Sequence, residues 1–143
     1  MKTENEMKLT FKSRSVNEGF ARTAVAAFAA VLDPTVEEIA DIKTAVSEAV
    51  TNSIVHGYKE SIENIYITAA IYPDKKVVIK IKDKGCGIDD IEKAMEPMYT
   101  TSPGGERAGL GFSVMQSMCE KVKVVSRFGK GTTVTLTCKI SSR

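Results

Sequence analysis

The distribution of apolar residues in this 143-residue chain predicts a two-layer α/β sandwich, a mixed and mostly antiparallel sheet with helices on one face. Three observations carry the prediction. About five segments have the alternating or short continuous apolar character of strands, and about four have the 3.6-residue period of helices. Strand pairs joined by short turns stand at both ends of the second half of the chain.

Met7, Leu9 and Phe11 alternate with polar residues, so residues 6–13 read as a first strand. Ser15-Val16-Asn17-Glu18 has the form of a capping box, and Phe20, Ala24, Ala27, Phe28 and Val31 are expected to make the apolar stripe of the helix it opens. Asp33-Pro34 ends that helix. Thr35-Val36-Glu37-Glu38 caps a second helix expected to reach about Val55, where Gly57 is placed to end it. Its packing stripe is Ile39, Ile42, Val46, Val50 and Ile54; Glu48 and Asn52 fall nearly opposite, beside Ala45 and Ala49. Strands are expected at 64–72 and 77–83 around the turn Pro73-Asp74-Lys75-Lys76. A short helix is expected at 89–96, followed at 97–109 by a Pro-, Thr-, Gly- and Ser-rich loop able to move. Residues 111–120 read as a helix bearing Val114, Met115 and Met118, and 122–128 with 132–140 as a hairpin about Phe128-Gly129-Lys130-Gly131.

Composition narrows the function. The length fits one domain, residues 1–143. Twenty Lys and Arg against eighteen Asp and Glu give a formal charge of +2, too balanced for a surface that grips nucleic acid or an anionic membrane. No apolar run approaches the roughly 20 residues of a membrane span, and the polar N-terminus lacks a signal-peptide core. Cys86, Cys119 and Cys138 show no metal spacing and read as reduced thiols, so a cytoplasmic protein is expected.

Glu48, Asn52 and His56 recur every four residues, which on an α-helix puts them within roughly 80° of one surface. A carboxylate there can orient or deprotonate an attacking hydroxyl, and an amide oxygen is a hard ligand for magnesium. An isolated Glu-x-x-x-Asn is more often a solvated helix face, and a lone His56 more often a helix-end residue. Asp83-Lys84-Gly85-Cys86-Gly87 follows an apolar strand. An Asp at a strand end can accept from an exocyclic amine such as that of adenine, and Gly85 and Gly87 let backbone come close to a base and sugar. The same pentapeptide also serves as an ordinary strand exit. Gly109-Leu110-Gly111 opens a helix, whose unpaired N–H groups suit phosphate oxygens, and Arg107 just before it could clamp a γ-phosphate. Thr100, Thr101 and Ser102 could add hydroxyl contacts, and Thr132 could stand beside Asp83, or β-branching alone could explain it. Neither a Walker-type nor a dinucleotide-type glycine motif is present.

Taken in order, these segments resemble the Bergerat-type (GHKL) ATP-binding superfamily of gyrase, Hsp90, histidine kinases and the mismatch-repair ATPase, over roughly residues 6–140. Within it, Val46-Ser47-Glu48-Ala49-Val50-Thr51-Asn52-Ser53-Ile54-Val55-His56-Gly57-Tyr58 is most similar to the anti-sigma-factor serine kinases of spore-forming bacteria. Phe20-Ala21-Arg22, Ala26-Ala27-Phe28 and Pro97-Met98-Tyr99-Thr100-Thr101 point the same way. The resemblance implies ATP and Mg2+ as cofactors and a lid at about 97–109. It implies Glu48 as catalytic base and Asn52 as magnesium ligand. Asp83, Gly85, Gly87 and Thr132 would hold adenine, and Arg107, Gly109 and Gly111, with Thr100 and Thr101, would meet the phosphates. It further implies a homodimer that binds a sigma F-like sporulation sigma factor and phosphorylates a serine on a small anti-anti-sigma protein. Family members often carry Lys where Ser102 stands, and Pro103-Gly104-Gly105-Glu106 is richer in glycine than the pattern; both departures leave the base and metal assignments intact and the lid–phosphate contacts open.

Other readings stay open at this point. A stress-response anti-sigma kinase would act on a different sigma factor. A histidine-kinase catalytic half needs a phosphoacceptor that the single His56 does not supply. A gyrase- or Hsp90-like clamp expects a following domain, and a pure binding module would not need Glu48. Arg22 is a candidate partner contact, with a solvated helix arginine as its ordinary alternative.

Overall fold

In a computed structural model, which describes residues 2–59, 61–87 and 108–141, the strands are β1 (Asn5–Lys12), β2 (Asn64–Tyr72), β3 (Lys76–Asp83), β4 (Lys121–Arg127) and β5 (Gly131–Lys139). They form one sheet in the order β1-β2-β3-β5-β4, antiparallel at all four pairings. The expected parallel component has a simple fate. β3 and β4 run the same way, but β5 folds back between them and pairs with both, so no parallel ladder forms. The helices are α1 (Asn17–Ala29), α2 (Val36–Asn52) and α3 (Ala108–Met118). The short helix expected at 89–96 lies outside the described residues.

Strand alternation separates the two faces of the sheet. Ile65, Ile67, Ala69 and Ile71 of β2, Val77, Ile79 and Ile81 of β3, and Val134, Leu136 and Cys138 of β5 point to one side. There they share a core with Ile42, Val46 and Val50 of α2, Val25 of α1, and Phe112 and Met115 of α3. Each such side chain withdrawn from water contributes about 1.5–3 kcal/mol before the ordering entropy is charged against it. The other face carries Lys8, Thr68, Lys80, Thr135 and Lys123 as one cross-strand row and needs no cover.

Two expectations about α1 fail. Val16, at the N-cap, is itself in helical conformation, so no hydroxyl caps the helix. The Glu18 carboxylate instead accepts from Ser47 Oγ at 2.7 Å and from Arg22 at 2.6 Å, tying α1 to α2. The buried stripe is Ala21, Val25, Ala26 and Ala29, while Phe20 and Val31 are exposed. Small residues were the signal: α1 and α2 pack closely, and alanine permits that approach where a large side chain would hold them apart.

The second capping box is present in full. Thr35 Oγ1 accepts from Glu38 N at 3.0 Å, and Glu38 Oε1 accepts from Thr35 N at 2.8 Å. The other Glu38 oxygen accepts from Ser141 N, so the cap also fixes the chain after β5. These bonds hold the Glu38 carboxyl below its usual range.

Thr35→Ala should therefore lower stability by about 1 kcal/mol, read as a drop in melting temperature of about 2–4 °C. Ser15→Ala should stay within about 0.5 kcal/mol, because the hydroxyl at that end caps nothing. Equal losses in the two variants would contradict the assignment.

Candidate functional site

The α-helical bond step of α2 stops at Asn52. Ser53–Gly57 forms a π-helical turn, closed by Tyr58 N donating to Ser53 O at 2.9 Å, a step of five residues. The wider turn breaks the four-residue register, so His56 does not continue the Glu48–Asn52 column as an α-helix would place it. Glu48 is half-buried on α2; Asn52, at its last position, is 8% exposed.

Ser53, whose N–H still bonds Ala49 O in the α-helical step, meets the end of β3, and the π turn that follows it lays Gly57 against the same place. Ser53 Oγ donates to Asp83 Oδ2 at 2.8 Å, and Gly85 N donates to Oδ1 at 2.9 Å. Asp83 is 2% exposed and pairs with Thr132 across the β3–β5 ladder. Burial pushes its carboxyl above the ordinary Asp range, against the bonds from Gly85, Ser53 and the Thr132 backbone, which pull it down. Thr132 is buried too, with its hydroxyl bonded to Ser126 Oγ at 2.8 Å. Glu48, Asn52, Asp83 and Thr132 thus belong to one continuous stretch of structure, linked through Ser53.

Gly57 serves a purpose different from the one expected, and Gly85 and Gly87 also make close chain crossings. Gly57 is not in the left-handed region that ends many helices. A Cβ on it would stand 2.8 Å from Asp83 Oδ2, so glycine is what lets the carboxylate lie against the π turn. A Cβ on Gly85 would run into Gly57 O, where Cys86 N also donates at 3.0 Å. Gly87, with φ +78°, lies against the β4–β5 turn, and a Cβ there would meet Arg127 O. These residues are demanded by chain crossing chain. Gly131, at φ +115° and beside Asp83 O, is a site residue whose role the sequence reading left unassigned.

Ser53, Ser126 and Tyr58 were also missed. The Tyr58 hydroxyl accepts from Lys84 N at 2.6 Å and donates to Asn64 O at 2.8 Å, locking the strand exit to the start of β2. Burial raises its pKa. The Cys86 thiol bonds His56 O at 3.0 Å, a packing role consistent with a passive small residue. A cavity of about 560 Å³ opens on the far side of this wall, lined by Gly57, Tyr58, Lys59, Tyr66, Lys84 and Cys86. None of Glu48, Asn52 or Asp83 lines it, although Gly85 does. Gly109 and Gly111 fall in the first turn of α3, which starts at Ala108, earlier than expected. Thr100, Thr101 and Arg107 lie outside the described residues. Arg22 is half-exposed and paired with Glu18.

The buried acid at a strand end, the Glu–Asn column and the glycine-opened α3 make up the candidate site, and comparison with known proteins identifies the family. Residues 11–138 match the family of the histidine kinase-like ATPase domain. The chain is 58% identical over 142 residues to the anti-sigma F factor of Thermoanaerobacter sp. (strain X514), covering 99% of each. It is 51% identical over 138 residues to that of Clostridium acetobutylicum, covering 96% of each. Its fold is similar, with a TM-score of 0.71 at 22% identity, to a crystal structure of the RsbU and RsbW domains of a Mycobacterium tuberculosis protein. The match covers 95% of this chain and 32% of that one. The chain belongs to the anti-sigma F factor family, anti-sigma proteins built on the kinase-type ATPase domain. No helix among the described residues is long and apolar enough to cross a membrane.

The raised pKa of Asp83 fixes the sign of a pH effect. The folded chain keeps this proton to higher pH than the unfolded chain does. Its support for the fold is full below the unfolded value of about 3.9 and is lost as pH rises through the raised folded value. The melting temperature of the native chain minus that of Asp83→Asn, which cannot ionise, should fall between about pH 4 and neutrality. A flat or rising difference would show that hydrogen bonding outweighs desolvation. Gly57→Ala should cost about 1–3 kcal/mol in denaturant unfolding, because the carboxylate must move.

Proposed function

We propose that this chain is an ATP-dependent protein serine kinase that also holds a sporulation sigma factor inactive, residues 1–143 acting as one kinase domain with a lid at about 97–109. The observation that carries the reading is the Ser53–Asp83 bond, which joins the column bearing Glu48 and Asn52 to the buried carboxylate at the end of β3.

After its bonds to Ser53 and Gly85, the Asp83 carboxylate keeps lone pairs for an exocyclic amine. Its desolvation makes a further donor welcome. Adenine is read there, with Thr132, Gly85 and Gly87 forming the walls. The phosphates lie toward the first turn of α3, where the N–H groups around Gly109 and Gly111 have no intrahelical acceptor. Thr100, Thr101 and Arg107 complete that end in this reading.

The donor set fits Mg2+. No cluster of three or more His, Cys, Asp or Glu among the described residues is a cage for a metal, and this ion is ordinarily shared between one or two protein oxygens and substrate phosphates. Asn52 would supply the protein oxygen, and the bound ion would neutralise charge on the phosphates. Glu48, one turn earlier on the same face, is the base that takes the proton from the attacking serine hydroxyl.

The relatives' names support a sigma F-like sigma factor as partner, and an anti-anti-sigma protein is the substrate that supplies the serine. Phosphorylating that substrate would leave the kinase free to hold sigma again. A homodimer is supported by the outer edge of β1, unpaired among the described residues, and by Phe20, which is 53% exposed and packs edge-on against Phe11 of that strand. Three free thiols and the absence of a spanning helix among the described residues agree with a cytoplasmic protein.

Incubation with ATP, magnesium and the cognate anti-anti-sigma protein should yield acid-stable phosphoserine on the latter. Acid-labile phosphohistidine would favour the histidine-kinase reading instead. Glu48→Gln should slow transfer by about 10²–10⁴-fold while ATP binding persists. Unchanged transfer would remove Glu48 from the mechanism. Capture on a panel of sigma factors, with ATP and then ADP, would separate the sporulation partner from a stress-response one.

A further inference from the structure

Cys119 and Cys138 meet inside the core at the end of α3 remote from the nucleotide site. β5 alternation turns Cys138 inward after Val134 and Leu136. Cys119 N donates to Met115 O at 3.0 Å, which extends the last turn of α3 and sets the cysteine on its inner side. The two Sγ atoms are 3.6 Å apart, in a thiol–thiol contact, with the residues 9% and 6% exposed. A cavity of about 270 Å³, lined by Asp41, Ile42, Met118, Glu120, Cys138 and Ile140, reaches the Cys138 member of this pair.

We propose that Cys119 and Cys138 are a redox modification site, closing to a reversible disulfide in the presence of a hydroperoxide and thereby weakening nucleotide binding. The two thiols stand closer to each other than to any route by which Cys86 could intervene, since Cys86 is held by His56 O at the other end of the site. The cavity admits a molecule as small as hydrogen peroxide.

The chemistry balances. The Cys138 thiolate attacks one peroxide oxygen; the S–O bond forms, the O–O bond breaks, and the leaving hydroxide departs as water. Sulfur is oxidised to a sulfenic acid by two electrons, and peroxide is reduced. Cys119 Sγ then attacks the sulfenic sulfur. The S–S bond forms, the S–O bond breaks, and hydroxide leaves with the Cys119 proton as a second water. Cys138 is the attacking group because it lines the cavity by which the peroxide arrives, and Cys119 does not.

Closure to a disulfide draws the sulfurs to about 2.05 Å and ties the end of α3 covalently to β5. The first turn of this helix holds Gly109 and Gly111. Fixing the far end of an 11-residue rod restricts how its near end can adjust to phosphates. This consequence rests on the nucleotide site proposed above; the disulfide itself does not.

The test uses the full wild-type chain. Brief treatment with stoichiometric hydrogen peroxide should leave one free thiol where the reduced chain has three, and peptide mapping should join Cys119 to Cys138. Dithiothreitol should restore all three. By calorimetry the oxidised chain should bind ATP about tenfold more weakly, within the usual range of coupling between sites, and reduction should reverse the loss. Three thiols remaining, a bond to Cys86, or sulfinic acid accumulating at Cys138 would each overturn the proposal. A disulfide that leaves ATP affinity unchanged would overturn its regulatory half. Reduced protein that binds no ATP, but still forms the disulfide, would instead sink the kinase reading and leave the modification site standing.

Discussion

Burying the carboxylate of Asp83 is the constraint around which the nucleotide end of the fold is arranged. An ionised acid at 2% exposure is costly unless donors surround it, and three come from three different segments. Ser53 belongs to the π turn, Gly85 to the strand exit, and Thr132 to β5. Each can reach only because a neighbouring residue lacks a side chain: Gly57 above the carboxylate, Gly85 beneath Gly57 O, Gly131 against Asp83 O. Even so, desolvation outweighs the donors, and the pKa rises. Both carboxyl oxygens have donors, yet burial keeps the group a stability cost of the kind that functional sites carry.

The π turn explains how one helix serves two tasks. Through Asn52, α2 keeps the 3.6-residue register that buries Ile42, Ala45, Val46, Ala49 and Val50 and leaves Glu48 half-buried at the edge. Ser53 keeps that spiral, its N–H bonded to Ala49 O, and reaches the sheet end from it. The five-residue step that follows turns the chain so that Gly57 lies against Asp83 and Tyr58 clamps it to Lys84 and Asn64. Polar chemistry is thus attached directly to the most rigid part of the molecule, the α2–sheet core, without an intervening loop.

Much of this was legible in the residues. Strand periods, the Thr35–Glu38 box and the hairpin glycines gave the elements nearly to the residue, because alternation and caps are local properties. The α1 stripe was misread because large side chains attract the eye, whereas close helix packing selects Ala21, Ala26 and Ala29. The box at Ser15–Glu18 was misread because Glu18 has a tertiary partner in Ser47 that no local pattern encodes. The type residues Glu48, Asn52 and Asp83 stood out by motif, but Ser53, Tyr58 and Ser126 act through contacts 30, 26 and 6 residues away. The π turn was invisible for a similar reason, since its sequence reads as ordinary helix. Its form is set by what it must reach.

The division of the site into a fixed end and a helix end bears on how partners would tell ATP from ADP. Asp83 and Thr132 sit in a paired ladder, braced by the core, and would meet the same adenine in both nucleotides. A ligand shifts a conformational equilibrium only by interacting differently with its states, so identical contacts at adenine cannot discriminate. The difference between the nucleotides is one phosphoryl group and the charge it carries. In the proposed site, whatever responds to it lies toward α3. That helix is joined to the rest of the fold chiefly by packing of Phe112 and Met115 against α2 and the sheet, contacts that can slide, and not by a ladder, which cannot. Fixed recognition at the base and adjustable contact at the phosphates is the arrangement a nucleotide-dependent switch requires.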